Sequence, residues 1–404
     1  MALTIVLACL ALAYQTKGYV SLVVGDAKSS AIDLRQKWVE HRYFLHGVNP
    51  FDIWMQHGPW RDSDRVARFA GRPPAPYSET IGFGDPANPP WAYPGGLLWF
   101  WPSWPAVRIY YALLNFAASI TILGWAWNGA RVHGTRAAGL VCAACAAMSA
   151  AGTAVDVGQY SLLITGLLVL VLQLDGLGRA VPAGVLLLLA LAKPTLSVPF
   201  LLAVAANGRI PMLAAVASTG ALATLMTWWR LATDPVTMLR QLSVVGEYLA
   251  PASQLSFQSV ATDVGLGGGA ALAVPVLACA ALLAVPLVRL RRTSLTNLFA
   301  FSAVAARLWT YHRPYDDVIL IFLLVPLLLR YYETEDNWIG GASLCVGLTL
   351  WSPGRLQSHS VVQAVQLIVW VVAAIALYRS LLSDLPSRQR AEGKGSAANT
   401  ESPI

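Results

Sequence analysis

Asp33 is an acidic residue that follows the first long apolar stretch of the chain, residues 2–24. Residues 31–46 repeat apolar side chains at helical spacing, and Ser30 before them is a suitable N-cap, which predicts Asp33 at the third helical position. A carboxylate there closes a capping box and interacts with the positive end of the helix dipole. The same position keeps a carboxylate ionised, which a general base requires. The residues alone therefore leave two roles open, capping and catalysis.

Further ionisable and amide side chains recur where later apolar stretches begin or end. They are Gln159, Lys193, Gln254, Gln258, Arg307, His312, Arg313, Asp316 and Asp317. Ionisable residues at membrane depth are costly and mark functional sites, although a structural ion pair such as Arg313 with Asp316 is the alternative. A phosphate leaving group needs cations and no acid, so transfer of a sugar from a lipid phosphate to an alcohol would require one base and a few such cations. These residues supply that set.

Two patterns in the long polar segment after the first span also bear on chemistry. Asp62 and Asp64 form an Asp-x-Asp pair of the kind that holds Mg²⁺ or Mn²⁺ in some sugar-transfer enzymes. Arginine stands on both sides of the pair and cancels its charge. We therefore expect a solvated loop there, and neither a metal nor another cofactor. Tyr93-Pro94 and the following tryptophans suit either an interfacial aromatic belt or a rigid shelf for a sugar.

The elements that must position these residues are membrane helices. Hydrophobic residues make up 56% of the chain and charged residues only 12%, against about 25% charged in soluble domains. About twelve stretches approach the length of a membrane span. They are 2–24, 106–128, 137–155, 158–174, 180–192, 195–206, 210–229, 268–289, 294–311, 317–331, 338–352 and 361–382. The pattern predicts an all-α polytopic membrane protein with one domain, 1–382, and a disordered polar tail, 383–404.

Lysine and arginine in the short loops give the predicted orientation. They concentrate in loops that lie on one side if the N-terminus is cytoplasmic, which predicts both termini inside. Segments 25–105 and 230–267 then face outward, and residues 31–46 form a helix along the membrane interface. The net charge of +7 reflects this loop bias and does not indicate nucleic-acid binding. All five cysteines lie in apolar stretches, so we expect no disulfide framework.

The short segments 180–192 and 195–206 are predicted to form a broken hairpin around Lys193 and Pro194 that is buried in protein. This break would place the Lys193 ammonium near the outer leaflet, on the side of Asp33.

In its ordered motifs the chain resembles the bacterial polyprenol-phosphate-mannose-dependent mannosyltransferases of the GT-C superfamily. The matching pieces are Asp33 with Gly47-Val48-Asn49-Pro50-Phe51, Tyr93-Pro94, Gly158-Gln159, Lys193-Pro194, the Gln258-Ser259 region and His312. Phe51, Gly95 and Tyr160 depart from the family pattern, which leaves the sugar and the acceptor open. The resemblance implies a GT-C fold with outer helices along the membrane, in a bacterial plasma membrane.

The resemblance also implies an inverting, metal-independent transfer of mannose from a polyprenyl phosphate donor to a lipid or glycan hydroxyl on the outer face. Asp33 would deprotonate the acceptor. Lys193, His312 and Arg313 would hold the donor phosphate, and Gln159, Tyr93 and Gln258 would line the sugar pocket. Two alternatives remain at this point: a transporter or flippase whose intramembrane charges line a path, and a protein that binds polyprenyl phosphate without turnover.

Overall fold

The computed structural model describes residues 1–25, 31–57, 86–96, 103–249, 254–354 and 356–384. Within these ranges the regular structure is helical and contains no strand. The helices are α1 (Ala2–Val24), α2 (Ile32–Leu45), α3 (Pro50–His57), α4 (Ala92–Gly95), α5 (Trp104–Ala130), α6 (Thr135–Ala146), α7 (Ser149–Val157), α8 (Ser161–Gly176), α9 (Ala180–Ala190), α10 (Pro194–Ala206), α11 (Ile210–Leu231), α12 (Pro235–Leu249), α13 (Phe257–Asp263), α14 (Gly268–Arg289), α15 (Leu295–Trp309), α16 (Ile321–Thr334), α17 (Asn337–Trp351) and α18 (Ser360–Ser383). Short 3₁₀ helices add Arg131–His133, Pro314–Leu320 and Leu356–Ser358.

Each predicted span coincides with helical structure, but in the described part of the chain fewer helices than predicted are long and apolar enough to cross a membrane alone. In the described ranges four segments, Ala2–Val24, Trp104–His133, Ile210–Leu231 and Ser360–Ser383, are long and apolar enough to cross a membrane alone. A fifth span exists if α6 and α7, bent by 43°, are counted together. Several remaining helices have 11 to 16 residues, and at 1.5 Å per residue they fall short of the hydrocarbon core. The prediction of about twelve crossings is therefore not confirmed.

Many helices pack against helices close to them in the chain, and contacts such as α1 with α7 and α10 with α15 join helices that are distant in sequence. α1 packs along α6 and α7, and α5 contacts α6 and α8. α8, α9 and α11 pack side by side, while α15 to α18 pack in sequence and α15 also holds α10. Phe200, Phe299 and Phe322 join α10, α15 and α16 through edge-to-face contacts, with ring centroids 4.8 to 5.6 Å apart. This aromatic cluster fixes α10 against the helices that flank the Pro314–Leu320 turn.

The predicted interfacial helix has the expected bounds but a different environment. Leu34, Trp38, Val39, Tyr43 and Phe44 of α2 are all buried, as are the polar Glu40 and His41. The helix packs against other segments of the chain on several sides, and its predicted position along the membrane interface stays a prediction. Protein segments bury side chains of α2 that the periodicity argument placed against the membrane surface.

The two outward segments of the prediction contact each other through the Gly47–Phe51 motif. Asn49 Nδ2 donates to Gln241 Oε1 at 3.1 Å, and Gln241 Nε2 donates to Asp52 Oδ1 at 2.7 Å. Arg230 Nε donates to the carbonyl of Phe44 at 3.3 Å, at the end of α2. These bonds tie α2 and α3 to α12 and the end of α11, so the motif joins two loops that are far apart in sequence.

Candidate active site

The Asp33 carboxylate is bonded to a distant side chain. α2 begins at Ile32 with Ala31 in the N-cap position and no side-chain capping bond, and Ser30 lies outside the described residues. Asp33 is therefore the second helical residue and not the third, and the predicted capping box with Ser30 lies outside the described residues. Asp33 Oδ2 accepts a hydrogen bond from Gln159 Nε2 at 2.7 Å. The bond orients the carboxylate toward the α7–α8 junction.

Gly158 explains how Gln159 reaches Asp33. It ends α7 with a φ of 77°, a conformation that glycine adopts at little cost. A Cβ at Gly158 would lie 2.4 Å from the Cβ of Leu34 and 3.0 Å from its backbone nitrogen. The Ala31 amide donates to the Asp156 carbonyl at 3.2 Å. The first turn of α2 thus sits directly on the end of α7, a contact that requires glycine.

Lys193 lies at the predicted break between α9 and α10, in the N-cap position of α10. Its Nζ forms a salt bridge with Asp316. It is also 3.5 Å from Gln159 Oε1 and 3.5 Å from Ser161 Oγ. Gln159 therefore bridges the two charges, because its amide donates to Asp33 and accepts from Lys193.

The Pro314–Leu320 turn supplies the third side of the site. Asp316 is fully buried and accepts from Ser161 Oγ as well as from Lys193. Arg313 contributes its backbone N–H to Asp316 Oδ2 at 3.3 Å, while its Nε donates to the Tyr311 hydroxyl at 2.8 Å. The ion pair between the Arg313 and Asp316 side chains that the sequence left as an alternative does not form, since Asp316 pairs with Lys193 and the Arg313 guanidinium lies on Tyr311.

The electrostatic environment of Asp33 combines burial with nearby positive charge. Burial raises its pKa above that of an ordinary carboxyl, while the Gln159 hydrogen bond and the charges of Lys193, Lys37 and Arg313 lower it and offset part of that rise. Part of the side chain stays accessible. A partly exposed carboxylate with a raised pKa and a fixed orientation is suited to accept a proton from a substrate.

His312 and Gln258 support the loop that carries Arg313. His312 is fully buried, and its Nε2 is 3.6 Å from Asp317 Oδ1. Burial lowers its pKa well below the usual value, and the charges of Arg307 and Lys193 lower it further, so the imidazole is neutral at pH 7. Gln258 Oε1 accepts from the Tyr311 amide at 2.8 Å. Gln258 thus binds the backbone of this loop, whereas the His312 side chain lies beside Asp317. The predicted contacts of both with donor and sugar stay predictions.

Tyr93 belongs to a neighbouring polar cluster on α2. Its side chain is fully buried, and its hydroxyl donates to Glu40 Oε1 at 2.8 Å. Glu40 also accepts from the Asn88 amide at 3.3 Å and from Lys37 Nζ at 3.1 Å. The cluster holds the Asn88–Gly96 segment on α2, so Tyr93 positions one wall of the site. Its predicted role in the sugar pocket stays a prediction.

Sequence reasoning missed three residues that shape the site. Lys37 and Glu40 follow Asp33 by four and seven positions, a spacing that places all three on one face of a helix. Ser161 comes two positions after Gln159 and binds Asp316. The helical spacing from Asp33 could have indicated Lys37 and Glu40. The role of Ser161 depends on a tertiary contact, and no local pattern indicates it.

An apolar cavity of about 300 Å³ adjoins the polar site. Tyr160 and Ala192, the chain neighbours of Gln159 and Lys193, line one end of it together with His41. From there it runs between α5, α8, α9 and α11, where leucines such as Leu163 and Leu188 form its wall. Its size and lining are those of pockets that hold apolar ligands.

The described part of the chain contains no group of three His, Cys, Asp or Glu side chains that could hold a metal ion. The predicted Asp62 and Asp64 pair lies outside the described residues. Of the tryptophans that follow Tyr93-Pro94, Trp99 also lies outside them and Trp104 begins α5.

Comparison with known proteins identifies the family. Residues 88–311 match the family model of glycosyltransferase family 87, which is more than half of the 404 residues. The matched range includes Tyr93, Gln159, Lys193 and Gln258 and ends just before His312. Searches of curated proteins and of solved structures gave no match. This match and the apolar helical bundle around the Asp33–Gln159–Lys193 contacts establish that the chain belongs to glycosyltransferase family 87 and is a membrane glycosyltransferase.

Proposed function

We propose that this glycosyltransferase moves a sugar, mannose by its resemblance to the GT-C mannosyltransferases, from a polyprenyl phosphate to a hydroxyl of a lipid or glycan. The transfer takes place on the outer face of the plasma membrane, inverts the anomeric centre and uses no metal. The observation that carries the proposal is the bridge from Asp33 through Gln159 to Lys193. A carboxylate and an ammonium at the two ends of one amide support the proposal, because displacement at a sugar phosphate needs a base for the acceptor and a positive charge near the leaving phosphate.

The chemistry assigns each side chain a role. Asp33 accepts the proton of the acceptor hydroxyl, whose oxygen forms a bond to the anomeric carbon. The bond from that carbon to the phosphate oxygen breaks, and the polyprenyl phosphate leaves with the electron pair. Lys193 and Arg313 stabilise the negative charge that develops on the phosphate. A single displacement of this kind inverts the anomeric configuration.

The apolar cavity supports a lipid-linked donor. Its lining includes Tyr160 and Ala192, the chain neighbours of Gln159 and Lys193, and residues of α5, α8, α9 and α11. A donor whose phosphate lies at Lys193 would have apolar protein surface available for the first part of its hydrocarbon chain. A nucleotide-sugar donor would instead place a polar base and ribose at this position.

The decisive experiment measures sugar transfer by the purified protein with radiolabelled polyprenyl-phosphate-mannose and a panel of candidate acceptors. We expect transfer by the unsubstituted protein and a loss of about 100-fold or more for Asp33→Asn, because general base catalysis contributes on the order of 10²–10⁴. The asparagine side chain keeps a similar shape, so the fold should persist.

Asp52→Asn is the matched control. Asp52 also lies in the first turn of a helix and accepts from a glutamine amide at 2.7 Å, but it is bonded to Gln241, away from Lys193. We expect its substitution to leave transfer within about twofold, in the range of ordinary surface changes. If Asp33→Asn lowers only the thermal stability while transfer continues, Asp33 is structural and the proposal fails. Loss of transfer after chelation would instead implicate Asp62 and Asp64 as metal ligands.

A further inference from the structure

The Asp316 carboxylate is a shared contact of Lys193, Ser161 and the Arg313 backbone. The carboxylate is fully buried. One oxygen, Oδ1, accepts from both Lys193 Nζ and Ser161 Oγ, while Oδ2 accepts from the Arg313 backbone amide. Three separate elements, the start of α8, the α9–α10 break and the Pro314–Leu320 turn, therefore meet at this one side chain.

The position of Lys193 depends on this carboxylate. A lysine side chain has four rotatable bonds and loses considerable rotamer freedom when it is held. The backbone places Lys193 at the helix break, and the Asp316 salt bridge then fixes the ammonium where it also reaches Gln159 Oε1. Gln159 in turn orients Asp33. The distance between base and cation is thus set by a chain of contacts that ends at Asp316.

We infer that Asp316 is a positioning residue for sugar transfer, one that acts on the reaction through Lys193. It touches neither the sugar nor the acceptor. It holds the Lys193 ammonium within reach of Gln159. The leaving phosphate then meets a fixed positive charge, while Asp33 accepts the proton of the acceptor. The inference rests on the proposed function and adds to it a residue that neither the motifs nor the family match indicated.

The position of Lys193 also predicts a kinetic signature. Asp316→Asn keeps the shape of the side chain, with one carboxylate oxygen replaced by an amide nitrogen, but removes the charge that competes with the donor phosphate for Lys193. We expect kcat to fall about tenfold or more because the ammonium is no longer fixed, while KM for the donor falls because Lys193 is no longer paired. A residue that only stabilises the fold would reduce the amount of active protein without changing KM.

A double-substitution cycle tests whether Asp316 acts through Lys193. Transfer from polyprenyl-phosphate-mannose is measured for Lys193→Gln, Asp316→Asn and the double variant. We expect Asp316→Asn to lower kcat strongly in the unsubstituted protein and by less than about twofold in the Lys193→Gln background, since its effect requires the ammonium. The double variant removes both charges of the buried pair, so it is expected to fold even if the single Asp316→Asn variant does not.

Asp317→Asn provides the matched control. Asp317 is the next residue, is equally buried and pairs with Arg307 at 2.6 Å, not with Lys193. Its effect on kcat should be the same with or without Lys193→Gln. Equal effects of Asp316→Asn in the two backgrounds would overturn the inference and leave the proposed function intact. Absence of transfer by the unsubstituted protein would overturn the proposed function, and the inference with it.

Discussion

At the scale of single residues, the surroundings of Asp33 determine when it can act as a base. The carboxylate has a raised pKa because it is buried, and three cations and one amide hydrogen bond offset part of the rise. In the proposed mechanism, transfer requires the ionised form of Asp33. Activity should therefore increase with pH through the pKa of Asp33, and this acidic limb should lie above the value of about 3.9 for an unperturbed aspartate.

Lys193→Gln should move that limb to higher pH. The lysine charge favours the ionised carboxylate, so its removal raises the pKa of Asp33 further and a larger fraction is protonated at a given pH. The measurement is kcat/KM for the acceptor as a function of pH in both proteins. Arg209→Gln is the control, because Arg209 forms an exposed ion pair with Asp175 and is expected to leave the limb where it is. A limb that stays in place in Lys193→Gln would show that Asp33 and Lys193 are not coupled.

At the scale of elements, the site depends on how closely α2 approaches the end of α7. No side chain larger than hydrogen fits at Gly158, because a Cβ would meet both the side chain and the backbone of Leu34. This contact aligns Asp33 on α2 with Gln159 after α7. The helix pair acts as one unit, and a displacement of α2 would separate the base from the amide that orients it.

Gly158→Ala should therefore cost more than backbone strain alone. The strain of a non-glycine residue at positive φ is about 1–2 kcal/mol, and overpacking against Leu34 adds about 1–3 kcal/mol. Gly208→Ala is the matched control, since Gly208 has a φ of 76° and a Cβ added there would have no heavy atom within 4 Å. Thermal unfolding in detergent and transfer activity are measured for both. We expect the lower melting temperature and the greater loss of activity in Gly158→Ala, and equal losses would contradict the proposed role of the contact.

At the scale of the whole molecule, the site lies where short helices end and not along the long spans. Lys193 is between α9 and α10, Gln159 between α7 and α8, and Arg313 between α15 and the 3₁₀ turn. Chain breaks inside a membrane protein are tolerated where they are buried in protein or line a cavity. The helices that are too short to cross a membrane alone thus bring these polar side chains together at their ends.

The predicted orientation can be tested by labelling single cysteines with a membrane-impermeant maleimide in a variant that lacks the five native cysteines. Val236 and Leu177 are exposed by 57% and 69% and lie on opposite predicted sides. We expect Val236→Cys to react in intact cells, and Leu177→Cys only after permeabilisation, because the positive-inside rule places the basic loops in the cytoplasm. The reverse pattern would place the site on the cytoplasmic face and exclude the proposed outward orientation.

The sequence by itself determined the helical membrane class, the helix positions and the identity of several side chains that meet at the site. These features follow from local composition and period, which a single chain displays directly. The break at Lys193-Pro194 was also readable, because proline and a charge interrupt an apolar run.

Only the tertiary structure decided which side chains meet. Periodicity predicted an apolar stripe on α2, whereas the structure buries side chains on several of its sides, and the sequence offered Arg313 as an alternative partner of Asp316 where the structure pairs it with Lys193, 123 positions away. Such contacts depend on how helices pack, and that packing is set by long-range shape complementarity, such as glycine against Leu34, which no local pattern records. The carboxylate of Asp33 was visible in the chain, and its partner Gln159 became visible only in the fold.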